Sequence, residues 1–302
     1  MTYQESLEDL AAQQAAAFAG RGDLIACALT GSLARGMTWH GSDLDFWGFW
    51  AHNEEDFEDG SLEGVYWEID IKPLAWLHGW TTERFLQPPL FSAEEDGVTP
   101  LEALWGARVL FDHEGTLSQV VAQVQHLTSD KAWLGQRATN YLRYGQQCLA
   151  DLAAEAPTDA ILAARRIAIM YGVSAYWMKR GGLLSSVMRI PERLADSPQS
   201  HALLRQIFSL DGQTSWENFL IAYQGLPPAV RDAFDDDLRY DVLPAAQHGM
   251  VEGALCHFRQ LAADWQPISE VASVLGFAPD LTAHKARILS QTAALLEVIE
   301  AL

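Results

Sequence analysis

Apolar and polar residues alternate, or gather in short apolar blocks, over the first third of the chain, and then recur with a period near 3.6 to the end. Residues 2–19 have helical spacing, with Leu7, Leu10 and Phe18 on the apolar face. Strands are expected at 24–30, 43–50, 64–71 and 107–112. Between the third and fourth, Pro73 opens a helix that carries Trp76, Leu77, Trp80, Phe85 and Leu86, because proline is tolerated in a first turn. Pro88-Pro89 stops that helix, and an acidic loop follows at Glu94-Glu95-Asp96-Gly97. Helices are expected at 116–127, 130–154, 158–180, 199–210, 214–224, 241–264 and 280–301, punctuated by Gly181-Gly182, Pro191, Pro198, Pro227-Pro228 and Pro244. The pattern predicts an α+β chain, with a mixed-sheet N-terminal domain over 1–115 and an all-helical C-terminal domain over 116–302.

Candidate chemistry gathers in the first of these. An apolar run from Leu24 to Thr30 enters Gly31-Ser32-Leu33-Ala34-Arg35-Gly36, and a strand that ends in Gly-Ser before a helical turn leaves backbone N–H groups to face an anion. The chain then reads Ser42-Asp43-Leu44-Asp45-Phe46-Trp47-Gly48-Phe49-Trp50. Side chains alternate across a strand, so Asp43 and Asp45 share one face while Leu44 and Phe46 take the other. Two carboxylates on one face can hold a hard divalent cation. Glu68 and Asp70 share a face in Gly64-Val-Tyr-Trp-Glu-Ile-Asp-Ile-Lys-Pro73. Other readings stand beside these. Arg35 serves equally as a solvated turn residue, Glu68 as an edge charge against self-association, and His40 reads as a surface histidine. No Gly-x-x-x-x-Gly-Lys-Ser/Thr is present, so a P-loop is not supported.

A Gly-Ser pair, a helical turn and then Asp-x-Asp resembles the signature of the DNA polymerase beta-like nucleotidyltransferase superfamily. The longer form, Gly31 to Gly36 followed by Ser42 to Asp45, is closest in pattern to the small-substrate aminoglycoside enzymes of the kanamycin and streptomycin type. The resemblance covers about residues 24–115 and implies an Mg2+-dependent transfer, with two ions, of a nucleoside monophosphate. AMP from ATP is the donor it suggests, and the acceptor is a hydroxyl of a small cationic molecule such as an aminoglycoside antibiotic, lying between the two domains. Asp43, Asp45 and Asp70 would be the metal ligands, with Glu68 as general base or, failing that, an acid of the helical domain. Gly31, Ser32, Arg35 and Ser42 would hold the nucleotide. Both Glu68 and Asp70 are assigned to the site, with Asp70 ranked above Glu68 as ligand. The alternatives are a transferase acting on a protein acceptor, as minimal antitoxin-like members do, and a non-catalytic nucleotide-binding regulatory module.

Charge sharpens the acceptor class. With 40 Asp and Glu against 20 Lys and Arg the chain has a formal net charge of −20, which repels a polyanion, so no nucleic-acid partner is expected. An anionic surface draws cations and raises their encounter rate. No apolar run spans a membrane, the acidic N-terminus lacks the basic start of a secretory signal, and a cytoplasmic location is expected. Cys27, Cys148 and Cys256 are widely spaced and read as reduced thiols without a catalytic part. The run Asp235-Asp236-Asp237 reads as a solvated face.

Overall fold

The computed structural model describes residues 3–38, 41–89, 99–183, 190, 194, 196–210 and 212–302, the last range without the side chains of 212–215. His40, the acidic loop at 94–97 and Pro191 lie outside the described residues. The chain forms two compact units, Met1–Gln136 with Gly181–Ser185, and Arg137–Arg180 with Ser186–Leu302. The fold is α+β, with a mixed sheet in the first unit and helices throughout the second.

In the first unit, α1 (Tyr3–Ala19) precedes β1 (Leu24–Leu29), the short helical turn α2 (Gly31–Ala34) and β2 (Leu44–Trp50). Next come β3 (Asp56–Leu62) and β4 (Val65–Pro73), then a 3-10 turn at Leu74–Leu77, α3 (Thr82–Phe85), α4 (Pro100–Ala103), β5 (Arg108–Asp112) and α5 (Thr116–Ser129). The five strands run in the order β3-β4-β2-β1-β5. All neighbours are antiparallel except β2 and β4, which are parallel. Alternation along the strands, with a register shift between Leu24 and Ala26 of β1, sends Leu24, Cys27, Leu29, Leu44, Phe46, Ile69 and Ile71 to a core shared with Leu7, Leu10, Ala11 and Phe18 of α1. Phe18 meets Phe46 and Trp67 edge-on at 5.1 and 5.7 Å.

Strand β3 departs from the sequence expectation, which left 51–63 unassigned. Its residues Asp56-Phe-Glu-Asp-Gly-Ser-Leu62 are mostly exposed and carry three acids, so no buried apolar alternation marks them. A tight hairpin at Glu63-Gly64, both at positive φ (52° and 84°), folds β3 back onto β4. This outer strand also serves as the crossover that makes β4 parallel to β2. The helix expected from Pro73 is also absent as a single element, because Pro73 ends β4 and only one 3-10 turn precedes Gly79 at φ +74°.

The first compact unit extends past 115, where the periodicity changes. Leu117, Val120, Val121, Val124 and Leu127 form the buried face of α5, which packs on β5 and on the 3-10 turn. Change of element type and change of core are different boundaries here.

Helix α6 (Lys131–Asp151) carries the division between units at Gln136 and Arg137. The second unit continues with α7 (Pro157–Ile167), a wide π turn at Ala168–Val173 and α8 (Ser174–Lys179), then α9 (Pro198–Ile207) and α10 (Gly212–Gln224). The remaining helices are α11 (Pro228–Ala233), α12 (Leu243–Gln247), α13 (Val251–Leu261) and α14 (Leu281–Glu300). The expected 241–264 helix is broken at Gly249, φ +87°. Gly145 of α6 lets Tyr171 approach so closely that an added Cβ would stand 2.8 Å from the tyrosine Cβ. Helix α14 packs along α7 and α9, burying His284, Ile288, Thr292, Leu295, Leu296 and Ile299.

His284 makes this unit sensitive to acid. Its Nδ1 accepts the Ala278 N–H at 2.7 Å, which requires a neutral ring. Burial, then the charges of Arg165 and Arg287, push its pKa down to about 4. The folded state therefore binds fewer protons than the unfolded state between pH 6.5 and about 4, and stability is lost as pH falls through that window. Urea titrations at pH 7 and pH 4.5 are expected to give a smaller acid loss for His284→Phe than for the wild type. An equal loss in both would remove His284 as the cause.

Candidate functional site

The end of β1 and the start of β2 are locked to each other at a single residue. Thr30 donates its backbone N–H to the Asp45 carbonyl at 2.8 Å, and its hydroxyl donates to the same oxygen at 3.3 Å. The chain then turns at Gly31, whose φ of +65° favours glycine. A second reason excludes any side chain there. A Cβ on Gly31 would lie 1.5 Å from Asp45 Oδ2 and 2.4 Å from its Cγ, so the carboxylate occupies the volume that a larger residue would need.

The N–H of Ser32, first after the bend, donates to the Asp45 carboxylate. The anion held by the Gly-Ser bend in this structure is thus the chain's own aspartate, where the sequence pattern leaves that N–H open to a ligand. Ser32 Oγ donates to Ser42 Oγ at 3.0 Å, and the Tyr3 hydroxyl donates to the Ser42 carbonyl at 3.2 Å. Ser42 is buried and braces the segment between bend and strand.

The parallel register of β2 and β4 sets the acidic neighbours. Glu68 stands opposite Asp45, and Asp70 stands opposite Trp47, one row further along the same face. On the other side of β4, Asp59 of β3 is opposite Glu68 and Phe57 is opposite Asp70. The face therefore presents a row of three acids, Asp45, Glu68 and Asp59, beside a row of Trp47, Asp70 and Phe57. The Tyr66 hydroxyl donates to Asp59 at 2.8 Å. Asp59 and Phe57 were missed with β3. The Gly64 that follows Ser61-Leu62-Glu63 was the signal for the hairpin that brings them in.

Beyond the acids the same face becomes aromatic. Trp47 stacks on Trp76 with ring centres 5.0 Å apart and planes 20° apart, and Phe49 lies 6.3 Å from Trp76. Lys72 Nζ sits 5.9 Å above Trp47 and pairs with Glu55.

Electrostatics concentrate on Asp45. Burial first, then the charges of Asp43 and Glu68, raise its pKa well above the usual carboxylate range, while Arg35 and the Ser32 N–H act in the opposite direction. Burial also raises Asp43. Arg35 lies 5.5 Å from the centre of the Trp105 ring and donates to the Trp105 carbonyl at 3.5 Å. Its stem fills the space over Gly106, where a Cβ would come within 2.6 Å of Arg35 Cγ. Of the two readings of Arg35, the freely solvated turn residue is not what the structure holds, since Trp105 and Gly106 fix it in place.

Asp43, Asp45 and Glu68 thus share one electrostatic neighbourhood, with Arg35, Ser32, Ser42 and Gly31 around them. Asp70 lies on the same face, beside Trp47. Among the described residues no group of three or more His, Cys, Asp or Glu converges into a ready metal cage. Among them also no helix is long and apolar enough to cross a membrane.

No family model matches the chain, and no curated protein matches it. Among solved structures it is similar to a nucleotidyltransferase-like protein from Exiguobacterium sibiricum, with 9% identity, a TM-score of 0.28, and coverage of 96% of this chain and 89% of that one.

Two outcomes test the bend. Gly31→Ala is expected to lose about 2–4 kcal/mol in urea denaturation, from the left-handed backbone and the clash with Asp45 together. Asp45→Asn is expected to do the reverse. Because the folded state holds a proton on Asp45 to higher pH than the unfolded state does, the wild type loses stability as pH rises above about 4. The variant's advantage in thermal unfolding should therefore widen from pH 4 to pH 8, and a constant gap would contradict the assignment.

Proposed function

We propose that the chain is a divalent-metal-dependent nucleotidyltransferase, moving a nucleoside monophosphate from its triphosphate to a hydroxyl of a small cationic acceptor. One observation carries this proposal above the others. The Gly31-Ser32 bend is folded directly onto Asp45, with Asp43 two residues earlier and Glu68 in register beside it, so an anion-binding turn and a carboxylate cluster form one structure.

The residues present fit magnesium. A carboxylate whose pKa is raised by burial and then by two acidic neighbours is short of positive charge, and a divalent cation would supply it. Mg2+ keeps several waters and takes phosphate oxygens, so one or two protein carboxylates suffice and a closed cage is not required. Asp43 and Asp45 would hold the metal, with Glu68 or Asp70 as the further acid. When bound, the metal neutralises charge on the phosphates and lowers the pKa of an attacking hydroxyl.

The chain's own groups supply the rest. Arg35, held by Trp105 and Gly106, places a fixed cation near Asp45 and close to where phosphate charge would sit. Ser32, whose hydroxyl donates to Ser42, would offer that hydroxyl to a phosphate oxygen. Glu68 lies beside Asp45 at a position from which it can take a proton from an acceptor hydroxyl. The acidic face running outward through Glu68 and Asp59, on a chain of net charge −20, favours an acceptor with ammonium groups, of the aminoglycoside kind. ATP is the donor suggested by the resemblance at Gly31 to Asp45.

Pyrophosphate release from labelled triphosphates, with Mg2+ and a panel of aminoglycosides, other amino-bearing hydroxyl compounds and proteins, tests the whole reading. Acceptor-dependent release is expected with a cationic small molecule. Asp43→Asn and Asp45→Asn should each lower kcat/KM by about 10³-fold or more, roughly 4 kcal/mol of transition-state stabilisation. An active Asp45→Asn protein would overturn the mechanism. Release only with a protein acceptor would replace the acceptor class. Glu68→Gln and Asp70→Asn separate the base from the ligand, since loss of a base flattens the acid limb of the pH-rate profile while loss of a ligand raises the metal concentration required.

A further inference from the structure

Two buried arginines of the second unit, Arg165 and Arg259, make no ion pair with a carboxylate among the described residues. Arg165 of α7 is 2% exposed and Arg259 of α13 is 5% exposed. Arg165 donates Nε to the Ile207 carbonyl at 3.0 Å and Nη1 to the Leu275 carbonyl at 2.7 Å. Arg259 donates Nε to the Val274 carbonyl at 3.1 Å, and Nη1 to the carbonyls of Phe208 and of Ser209, the latter at 3.3 Å. Carbonyls at the end of α9 and in the 274–275 turn therefore disperse part of the charge.

They do not complete it. Among the described residues, Arg165 Nη2 is buried with no hydrogen-bond partner, and so is His284 Nε2. The His284 nitrogen must be a donor, because its Nδ1 accepts from Ala278 and the neutral ring has its one proton on Nε2. Arg165 acts electrostatically on His284, and their helices α7 and α14 pack together. Rings of Phe208 and Phe277 lie 5.6 and 5.5 Å from the Arg165 guanidinium, and Phe277 also meets His284 at 6.1 Å. The surroundings carry surplus positive charge. Arg287 adds to it, the Cys256 thiol is pushed up to about 12 by burial and stays neutral, and Glu252 is taken by His201 and Arg205 at 2.9 Å each.

We propose that Arg165 Nη2 and His284 Nε2 are donors of a buried site for a small monovalent anion of chloride size. An unpaired buried donor is costly, and a buried unpaired cation more so, so one acceptor bearing negative charge relieves both. Water satisfies the donors without answering the charge. A larger oxyanion brings more oxygens than two donors flanked by phenyl rings can serve. The site concerns the helical unit alone and stands apart from any nucleotidyl transfer.

Thermal unfolding in sodium chloride and sodium gluconate at fixed ionic strength and pH 7.5 tests it. A saturable rise of about 3–5 °C specific to chloride is expected, absent in Arg165→Met and His284→Phe. Equal melting in the two salts would overturn the proposal and leave water as the occupant. Wild-type crystals soaked in bromide decide the matter if either variant fails to fold. An anomalous peak beside Arg165 Nη2 and His284 Nε2 supports the site, and ordered density there without anomalous signal overturns it.

Discussion

The contact between the Gly31 backbone and the Asp45 carboxylate is the constraint on which the first unit depends. It joins the end of β1 to the start of β2 at a place where neither partner has latitude. The turn needs a residue with no side chain, and the aspartate needs the Ser32 N–H that the turn supplies. Thr30 fixes the same residue from its carbonyl side, so Asp45 is held through both backbone and side chain. A carboxylate so confined cannot reorient toward solvent, and its pKa rises because burial and two acidic neighbours outweigh one arginine and one N–H.

From that anchor the two faces of the sheet acquire different work. Leu44, Phe46, Ile69 and Ile71 sink into the core under α1, while Asp45, Glu68 and Asp70 lie on the opposite face, with Asp43 acting on Asp45 from just before the strand. A one-residue slip of β4 against β2 would bring apolar side chains to the acid face and acids into the core, so burial of Ile69 and Ile71 fixes which acid stands beside Asp45. Packing energy thereby selects chemistry. Glu68 gains its position opposite Asp45 because the isoleucines on either side of Asp70 are both fully buried.

Those residues also explain what was legible in the sequence. Four of the five strands were visible as apolar stretches, a nearly continuous buried run in Leu24-Ile-Ala-Cys-Ala-Leu29 and an alternation in Ile69-Asp-Ile71. Strand β3 was not, since an edge strand of exposed acids has no apolar period to read, and with it went Asp59, Phe57 and the parallel pairing of β2 with β4. The shared face of Asp43 and Asp45 follows from alternation alone. The ordering of Glu68 against Asp70 does not, because it is a property of inter-strand register. The place of Arg35 was hidden for a related reason, as its partners Trp105 and Gly106 come from the loop before β5, seventy residues on. After the sheet the long periods gave α5, α6, α9 and α14 closely, but short helices such as α11 and the break at Gly249 are set by packing and backbone angle.

The two units place opposite charges in water-poor surroundings and compensate them differently. In the helical unit, carbonyl oxygens at the ends of helices and turns take up part of the charge of Arg165 and Arg259, a solution that needs fixed backbone dipoles and leaves Arg165 Nη2 without a partner among the described residues. At the sheet, burial and the charges of Asp43 and Glu68 outweigh Arg35 and the Ser32 N–H at Asp45, whose carboxyl resists ionising. A purely structural carboxylate would be expected to collect enough N–H donors to lower its pKa, as Asp112 does from the N–H groups of Gly115 and Ser118. Asp45 lies in the same fold with the opposite shift. That contrast distinguishes an acid that terminates a loop from one whose burial and acidic neighbours outweigh the donors it meets.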